Sequence, residues 1–410
     1  MKKVVIVGGG FAGIKCALEL SKLNPSDTKV ILISDKPHFE YHAALYRIVT
    51  DGSPMEVCIP LGQIFSKTNI EVLRDKITNI DIKGKKLIGD SGAHYTYDFL
   101  VLGLGSETEY FNIPGLNENS FGLKSVQEAL RLKKHIHESL LVCAATTGDE
   151  RMCAAQFVVV GAGASGTELS AQLAMYLKRI AKNHGIESSM ITLDLIDIAP
   201  RILSNMPMDF ATKIEKQLRE LGVNIFLNRG ILRNDVDQIV LQNMDLRSKT
   251  LIWTAGIKAH HLYREINGLE INRRGQVEVI NLNPKGFDDV FIVGDGAETK
   301  YSGMAQTALY DGKYAAKRIA ASIKGKNGII EYAPKAPYYA IPVGYSWAGI
   351  VIGNLRAYGK MGWWIRRLAD LAVFCSILPL SKALDVFRDG RSICETCSIC
   401  ESAESDRINS

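Results

Sequence analysis

The chain has 410 residues, which is too long for one ordinary hydrophobic core and suits two or three domains. Its hydrophobic fraction of 47% and charged fraction of 23% are those of a globular protein, which excludes general disorder. The net charge of +5 is too small to indicate a nucleic-acid-binding protein, although it is compatible with an anionic membrane surface. No run of about 20 uncharged apolar residues is found, so a transmembrane helix is not expected.

The N-terminal segment predicts a dinucleotide-binding βαβ unit. Residues 3–7 (KVVIV) are typical of a buried parallel strand, and no signal-peptide cleavage site precedes them, so we expect a cytoplasmic protein. The turn Gly8-x-Gly10-x-x-Gly13 and a helical pattern follow, and a second strand ends at Asp35. The glycines permit, in order, a tight turn, close approach of a pyrophosphate and close packing of the helix, whose N-terminus attracts phosphates. Asp35 stands 22 residues after Gly13, where a carboxylate accepts hydrogen bonds from ribose hydroxyls.

The same unit recurs in the middle of the chain and predicts a second dinucleotide site. A buried strand leads into Gly161-x-Gly163-x-x-Gly166, a helical pattern follows, and the next strand ends at Asp197. A carboxylate beside the ribose repels a 2′-phosphate and therefore favours NADH over NADPH. Arg201, four residues further on, weakens this preference because an arginine can accommodate the phosphate.

The segment around residue 295 carries a third motif. A strand at 289–295 (DVFIVGD) stops on Gly294-Asp295, and a helical pattern starts near Ala305. An aspartate there can bind a ribityl hydroxyl of a flavin, and the positive end of the helix would stabilise the negative charge of reduced flavin near N1 and O2. The alternative for Asp295 is a helix cap or turn residue. Two further buried strands end in glycine turns: 97–105 at Gly105 and 250–256 at Gly256.

The order of these motifs resembles a known family. The segments are GGGFAG, YDFLVLGLGS, IPG, GAGASGTE, APRIL, LIWTAGIKA, FIVGDGAE and AQTALYDG, and they span about residues 1–325. They are similar to those of type II NADH dehydrogenases, the non-proton-pumping NADH:quinone oxidoreductases of the two-dinucleotide-binding-domain flavoprotein superfamily. The glycine fingerprints are shared across the superfamily, whereas LIWTAGIKA and the pair Ala305-Gln306 point to this branch and its near relatives.

The resemblance implies an α/β fold with two Rossmann-like dinucleotide-binding domains. The FAD-binding domain would be discontinuous, with residues 1–112 and 283–330, and the NADH-binding domain would comprise residues 113–282. The implied reaction is hydride transfer from NADH to FAD, followed by transfer of two electrons to a membrane quinone without proton pumping.

The resemblance also implies roles for individual residues. FAD would be held by Gly8, Gly10, Gly13, Asp35, Gly105, Gly294, Asp295 and Ala305. NADH would be held by Gly161, Gly163, Gly166, Asp197 and Gly256. Gln306 would lie beside the flavin at the quinone site. Glu168 would lie near the flavin and relay protons or position substrate; the alternative is a first-turn glutamate favoured by the helix dipole.

The region from residue 331 onward predicts a C-terminal membrane-associating domain, residues 331–393. A lipid-soluble quinone requires contact with the membrane, and residues 361–387 combine an apolar stretch with side chains suited to the headgroup zone. These side chains are Trp363, Trp364, Arg366 and Arg367. Pro379 is expected to break the helix. We therefore expect a peripheral protein on the cytoplasmic face of the membrane, with a buried core helix or a homodimer contact as the alternative.

The acceptor end departs from the family pattern. The family commonly has a second glutamine four residues after the first, and here that position is Tyr310. The usual C-terminal pattern is also not clear in residues 340–353 (AIPVGYSWAGIVIG). A related acceptor or a divergent quinone is therefore open.

The cysteines bear on the alternatives. Cys58 stands alone, whereas a disulfide reductase of this fold would carry a CxxxxC pair after the first βαβ unit. A sulfide:quinone oxidoreductase would need two cysteines flanking the flavin; Cys153 could be one, but no cysteine appears between it and Cys375. That enzyme, and a non-enzymatic flavin redox sensor similar to apoptosis-inducing factors, are the competing hypotheses.

The polar tail, residues 394–410, carries three of the eight cysteines as Cys394-x-x-Cys397-x-x-Cys400. A closed zinc site takes four ligands, and only three thiols are present with no histidine after them. We therefore expect no metal site and a flexible or redox-active tail.

Overall fold

Both predicted βαβ units form in the computed structural model, which describes residues 1–25, 27–50, 52–326 and 331–389. The first third contains β1 (Lys2–Val7), α1 (Phe11–Leu23), β2 (Thr28–Ser34), β3 (His38–Glu40), α2 (Leu45–Val49), β4 (Cys58–Pro60), α3 (Leu61–Phe65), β5 (Glu71–Arg74), β6 (Ile77–Asp81), β7 (Lys86–Gly89), β8 (His94–Thr96), β9 (Phe99–Leu102) and β10 (Ser106–Thr108).

The middle of the chain contains the second unit. Its elements are α4 (Leu116–Asn119), β11 (Ser120–Phe121), α5 (Val126–Ala145), α6 (Gly148–Ala155), β12 (Gln156–Val160), α7 (Ala164–Asn183), β13 (Thr192–Ile196), α8 (Met208–Glu220), β14 (Asn224–Phe226), β15 (Ile231–Asn234), β16 (Gln238–Leu241), β17 (Met244–Arg247), β18 (Thr250–Trp253), β19 (Ile257–Ala259) and α9 (Leu262–Glu265). Helix α7 begins at Ala164, within the glycine turn.

The last third returns to the first sheet and then forms a separate three-stranded antiparallel sheet and two helices. Its elements are β20 (Val277–Ile280), β21 (Asn283–Pro284), β22 (Val290–Ile292), β23 (Ala297–Glu298), α10 (Ala305–Ile323), β24 (Tyr339–Pro342), β25 (Ala348–Ile352), β26 (Leu355–Ala357), α11 (Gly359–Ile377) and α12 (Leu380–Asp389). Pro379 separates α11 from α12, as the sequence predicts.

Two five-stranded parallel sheets organise the molecule. The first has the order β22-β9-β1-β2-β5 and the second the order β11-β18-β12-β13-β14. Val4, Val5 and Ile6 of β1 are fully buried, as expected for a parallel strand covered on both faces. The repeated order confirms the predicted pair of Rossmann-like α/β units, and the domain boundaries at residues 112 and 282 stay a prediction.

Helices α1 and α10 pack closely on the first sheet. A Cβ atom on Gly312 of α10 would lie 2.2 Å from the carbonyl oxygen of Ala12 in α1, so only glycine allows this approach. This contact places the start of α10 beside the first glycine turn. The two halves are joined by the antiparallel pair β10–β19, in which Ser106 lies opposite Ala259.

Within the described ranges, no helix is long and apolar enough to cross a membrane. The C-terminal region differs from the prediction in the position of two arginines. Arg366 and Arg367 are only 6% and 4% exposed, so placing them in the headgroup zone is wrong. They are buried because they form ion pairs with Asp370 and Glu56 inside the protein. The outer surface of α11 carries Met361, Trp364 and Leu368, which are 52–62% exposed.

Candidate functional site

In the first glycine turn, packing requires glycine at Gly8 and Gly13, whereas Gly10 faces open space. Gly8 has φ +112°, and a Cβ atom on it would lie 2.2 Å from the carbonyl oxygen of Gly103. A Cβ atom on Gly13 would lie 2.0 Å from the carbonyl oxygen of Gly8. A Cβ atom on Gly10 would meet nothing within 4 Å. Gly8 and Gly13 are therefore required by the fold, whereas the space above Gly10 is a cradle that suits a pyrophosphate.

A groove of about 270 Å³ runs from this turn along the C-terminal ends of the first sheet. Asp35 is exposed and lines it, so its carboxylate is available to ribose hydroxyls. The predicted residues Gly8, Gly10, Asp35, Gly105, Gly294 and Asp295 all line this groove. Gly13 does not, since it packs behind the turn. The shape and donor set fit FAD.

The second glycine turn repeats the geometry of the first. Gly161 has φ +105°, a Cβ atom on Gly166 would lie 1.9 Å from the carbonyl oxygen of Gly161, and a Cβ atom on Gly163 would meet nothing within 4 Å. Helix α7 begins at Ala164 without a side-chain cap, so its first N–H groups are open to an anion. The residues present therefore fit a second dinucleotide.

Asp197 forms two hydrogen bonds with the backbone that the sequence does not predict. One carboxylate oxygen accepts a hydrogen bond from the backbone N–H of Ala162 at 2.6 Å, and the other accepts one from Ala199 at 2.7 Å. Asp197 therefore clamps the glycine turn to the loop after β13. Each oxygen keeps a second lone pair for a ribose hydroxyl.

Arg201 is occupied by its own loop. Its guanidinium donates hydrogen bonds to the carbonyl oxygens of Leu203, Ser204 and Met206 at 3.1, 2.5 and 2.9 Å. A guanidinium held by three carbonyls has few donors left for a 2′-phosphate. These hydrogen bonds therefore weaken the argument that Arg201 could accommodate the 2′-phosphate of NADPH.

A central cavity of about 370 Å³ lies where the two halves and the C-terminal region meet. It adjoins the groove, because Phe11, His42, Lys124, Asp295 and Ala308 line both. The predicted residues Glu168, Gly256, Asp295, Ala305 and Gln306 all line it. Gly161, Gly163, Gly166 and Asp197 do not line it, but Ala164 and Ser165 at the start of α7 do.

Glu168 is the fifth residue of α7 and lines the central cavity; it lies beyond the first turn, so the alternative of a first-turn glutamate is wrong. Burial raises the pKa of its carboxyl to about 7, against the lowering effects of Arg366 and Arg47 and with a further rise from Asp370. A carboxyl with a pKa near neutral can both accept and release a proton at physiological pH. This behaviour differs from that of an ordinary first-turn glutamate.

Gln306 is tied to the chain that enters β24. Its Nε2 donates to the carbonyl oxygen of Tyr338 at 2.9 Å, and its Oε1 accepts from the N–H of Tyr338 at 3.3 Å. One amide hydrogen and one lone pair are left for a ligand in the cavity. Gln306 therefore fixes the cavity wall as well as facing the cavity.

Asp295 and the start of α10 lie at the junction of groove and cavity. Asp295 accepts a hydrogen bond from the Ser106 hydroxyl at 2.5 Å, and the ammonium of Lys124 lies 3.8 Å away. Helix α10 begins at Ala305 without a side-chain cap, so its positive end faces the cavity. Asp295 does not cap this helix, but it lies within the short turn Gly294–Gly296, so it is a turn residue and its role in binding a flavin stays a prediction. Lys124 lines both the groove and the cavity but belongs to none of the sequence motifs, so the sequence does not predict it as a site residue.

The chain matches the family described as pyridine nucleotide-disulphide oxidoreductase over residues 2–312. It is 31% identical over 345 residues to the type II NADH:quinone oxidoreductase Ndh of Mycobacterium tuberculosis, an overlap of 79% of this chain and 73% of that protein. The chain belongs to the type II NADH:quinone oxidoreductases. Solved structures agree on the fold of this NADH:quinone oxidoreductase. NDH2 from Plasmodium falciparum in complex with NADH gives a TM-score of 0.85 at 16% identity, covering 96% of this chain and all of that one.

A second solved structure defines the main competitor. The sulfide:quinone oxidoreductase of Aquifex aeolicus gives a TM-score of 0.77 at 20% identity, covering 97% of this chain and 98% of that one. Among the described residues that line the groove and the cavity, none is a cysteine. Cys153 is 2% exposed, with its sulfur near the carbonyl oxygen of Asp237. Cys394, Cys397 and Cys400 lie outside the described residues.

The family departure at Tyr310 lies away from the cavity. Tyr310 lines neither the groove nor the cavity and packs edge-on against Tyr332, with ring centroids 5.6 Å apart. In this type II NADH:quinone oxidoreductase, Tyr310 therefore does not contribute to the cavity wall. Tyr338, Arg366 and Val373 line the cavity from the C-terminal region.

Proposed function

We propose that this protein oxidises NADH through FAD bound in the groove and passes two electrons to a quinone in the central cavity. The observation that carries the proposal is the junction of the groove with a cavity that contacts α7, α10 and α11 together. A flavin held there would expose its ring system to both substrates. When bound, FAD supplies the ability to accept a hydride and to release its electrons to a different acceptor.

The protein residues bind and orient the two dinucleotides. The first turn of α1 would bind the FAD pyrophosphate beside Gly10. Asp35 would accept hydrogen bonds from the ribose hydroxyls, and Asp295 would accept one from the ribityl chain. The N-terminus of α10 stabilises negative charge near the ring. The N-terminus of α7 receives the NADH pyrophosphate, and Asp197 accepts its ribose hydroxyls.

NADH is the expected donor rather than NADPH. A 2′-phosphate would approach the Asp197 carboxylate, which repels it. Arg201 is held by backbone carbonyls and offers little compensation.

At the acceptor end, Glu168 moves the proton that the reduced quinone requires. Its pKa of about 7 suits this role, and the free amide hydrogen of Gln306 can bind a quinone carbonyl. Glu168→Gln should slow the quinone half-reaction by about 10²-fold while leaving reduction of the enzyme by NADH unchanged. Stopped-flow measurement of the two half-reactions tests this, and an unchanged quinone rate would contradict the role.

We also propose that the outer surface of α11 contacts the cytoplasmic face of the membrane. Met361, Trp364 and Leu368 form an exposed apolar surface at helical spacing, while the arginines of the same helix point inward. Trp364→Glu with Leu368→Glu should reduce sedimentation with anionic vesicles by about tenfold or more. The matched control is Leu141→Glu with Met152→Glu, two exposed apolar residues on α5 and α6. Equal loss in both double variants, or none in the first, would contradict the proposal.

The decisive assay follows NADH and NADPH oxidation by the purified protein with and without a short-chain quinone. Fast, quinone-dependent oxidation of NADH supports the proposal. Sulfide-dependent quinone reduction without NADH oxidation would favour the sulfide:quinone oxidoreductase. A stable reduced enzyme with bound NAD and no turnover with any quinone would favour the redox sensor.

A further inference from the structure

A cluster of buried charges lies beside Glu168 and comes largely from α11. We call it the α11 charge cluster: Arg47, Glu56, Arg366, Arg367 and Asp370. Their side chains are at most 15% exposed. None belongs to a motif of the dinucleotide sites, and only Arg366 lines the cavity.

Asp370 is the centre of this cluster. Its carboxylate accepts hydrogen bonds from the Tyr41 hydroxyl at 2.6 Å and from Arg47 at 3.0 Å. It also accepts hydrogen bonds from Arg366 and, at 3.5 Å, from Arg367. One carboxylate thus joins α2, the loop before it and two turns of α11.

Glu56 neutralises the far side of the same cluster. It binds Arg47 at 2.5 Å and Arg367 at 2.6 Å. Three guanidinium groups therefore face two carboxylates, which leaves one positive charge. An ionised Glu168 would balance that charge.

The groups that act on Glu168 come from two other helices, α2 and α11. Arg366 and Asp370 lie on α11, and Arg47 lies on α2. Tyr46 of α2 also interacts with Glu168, and burial raises the pKa of its phenol above the usual range, so it stays neutral. Tyr338, near Arg366 and Asp370, is likewise neutral because burial raises its pKa. The balance at Glu168 is therefore two cations against one carboxylate.

We propose that Asp370 is a positioning residue for Glu168: it binds and neutralises Arg366, which lines the same cavity as Glu168, and also Arg47, which binds the same carboxylate. The inference rests on the proposed proton-transfer role of Glu168. It assigns the control of Glu168 to α11, the helix whose outer surface is proposed to contact the membrane. Without Asp370, the attraction of Arg366 and Arg47 would keep Glu168 ionised and unable to carry a proton near neutral pH.

Three variants give effects of opposite sign. Asp370→Asn removes a carboxylate and should shift the protonation midpoint of Glu168 down by about one pH unit. Arg47→Met removes a cation and should shift the midpoint up by a similar amount. The paired variant Arg47→Met with Asp370→Asn removes one charge of each sign, so the net charge of the cluster is unchanged and its midpoint should lie below that of Arg47→Met alone.

Glu56→Gln is the matched control. It also deletes a buried carboxylate that binds two arginines, but Glu56 is not among the groups that act directly on Glu168. Its shift should therefore be smaller than that of Asp370→Asn. Equal shifts would mean that damage to the cluster, rather than the charge of Asp370, moves the midpoint.

The test is an infrared pH titration of the full-length, FAD-containing protein. The protonated carboxyl band of Glu168 is identified by its absence in Glu168→Gln, and its midpoint is then compared among the variants. A lower midpoint in Asp370→Asn and a higher one in Arg47→Met support the inference, and unchanged midpoints overturn it. If Asp370→Asn does not fold, the paired variant decides: a midpoint equal to that of Arg47→Met overturns the inference.

The quinone half-reaction separates this inference from the proposed function. If the midpoints shift as expected but Glu168→Gln keeps the full quinone rate, the α11 charge cluster tunes Glu168 and the catalytic role of Glu168 fails. If Glu168→Gln loses the quinone rate but the midpoints do not move, the role of Glu168 stands and that of Asp370 fails.

Discussion

The two glycine turns have the same steric constraints and differ in the contacts of the carboxylate that follows each of them. In both, the first glycine has φ near +110° and the third cannot carry a Cβ atom. Asp35, after the first turn, is exposed and lines its groove. Asp197, after the second, binds the glycine turn at Ala162 with one oxygen and the loop after β13 at Ala199 with the other.

This difference teaches that one fingerprint can serve two arrangements. Both turns are held by their sheets, since Gly8 donates its N–H to the carbonyl of Ile33 and Gly161 donates its N–H to the carbonyl of Ile196. In the first half the carboxylate is left for the ligand. In the second half the carboxylate also holds the turn and shares its remaining lone pairs with the ligand. Substitutions at the glycines should therefore act alike, and substitutions at the aspartates should not.

The largest effect is expected from the third glycines. Gly13→Ala places a Cβ atom 2.0 Å from a backbone oxygen and should abolish FAD binding, measured as flavin absorbance per protein. Gly166→Ala meets the same clash at 1.9 Å and should abolish NADH binding while FAD is retained. Loss of FAD in Gly166→Ala, or unimpaired NADH binding, would break the assignment of one cofactor to each turn.

The aspartates should separate stability from binding. Asp197→Asn loses one of two charge-assisted hydrogen bonds and should lower the free energy of unfolding by about 2 kcal/mol, with a raised KM for NADH. Asp35→Asn should weaken FAD binding by about tenfold and change the free energy of unfolding of the FAD-free protein by less than about 0.5 kcal/mol. Denaturant unfolding and flavin titration measure both quantities. Equal destabilisation in the two variants would contradict the comparison.

The middle glycines sharpen the comparison further, because the protein itself has open space above both. Gly10→Ala and Gly163→Ala should leave the melting temperature of the FAD-free protein unchanged. Gly10→Ala should weaken FAD binding and Gly163→Ala NADH binding, each by about tenfold, since the new methyl occupies the place of a pyrophosphate. A lowered melting temperature would show that these glycines also serve the fold.

The smallest effect is expected from Arg201. Arg201→Ala should leave the ratio of kcat/KM for NADH over NADPH within about twofold of the parent value, because the guanidinium is engaged by backbone carbonyls. Steady-state kinetics with both donors measures the ratio. A large fall in NADPH use alone would show that Arg201 does reach a 2′-phosphate.

The sequence predicts the parts that depend on local spacing. Both glycine turns, the strands ending at Asp35 and Asp197, and the helix starting at Ala305 follow from short patterns, and the structure has them. The placement of Glu168 and Gln306 in one cavity follows from the family resemblance.

The parts that depend on distant contacts are not visible in the sequence. Arg366 and Arg367 look like surface residues beside two tryptophans, but both are buried: Arg367 binds Glu56 and Arg366 binds the carbonyl oxygen of Ala43, each more than 300 residues away. The bond of Gln306 to Tyr338 is likewise set by tertiary packing, as is the clamp that Asp197 forms on its own turn. Charges whose partners lie far along the chain carry no local signature.

The central claim is tested most directly by an anaerobic titration of the purified, FAD-containing protein. Stoichiometric NADH should bleach the flavin absorbance, and stoichiometric short-chain quinone should then restore it fully. NADPH should bleach it far more slowly. A flavin that stays oxidised with excess NADH, or that stays reduced with excess quinone, would contradict the transfer of electrons from NADH through FAD to a quinone.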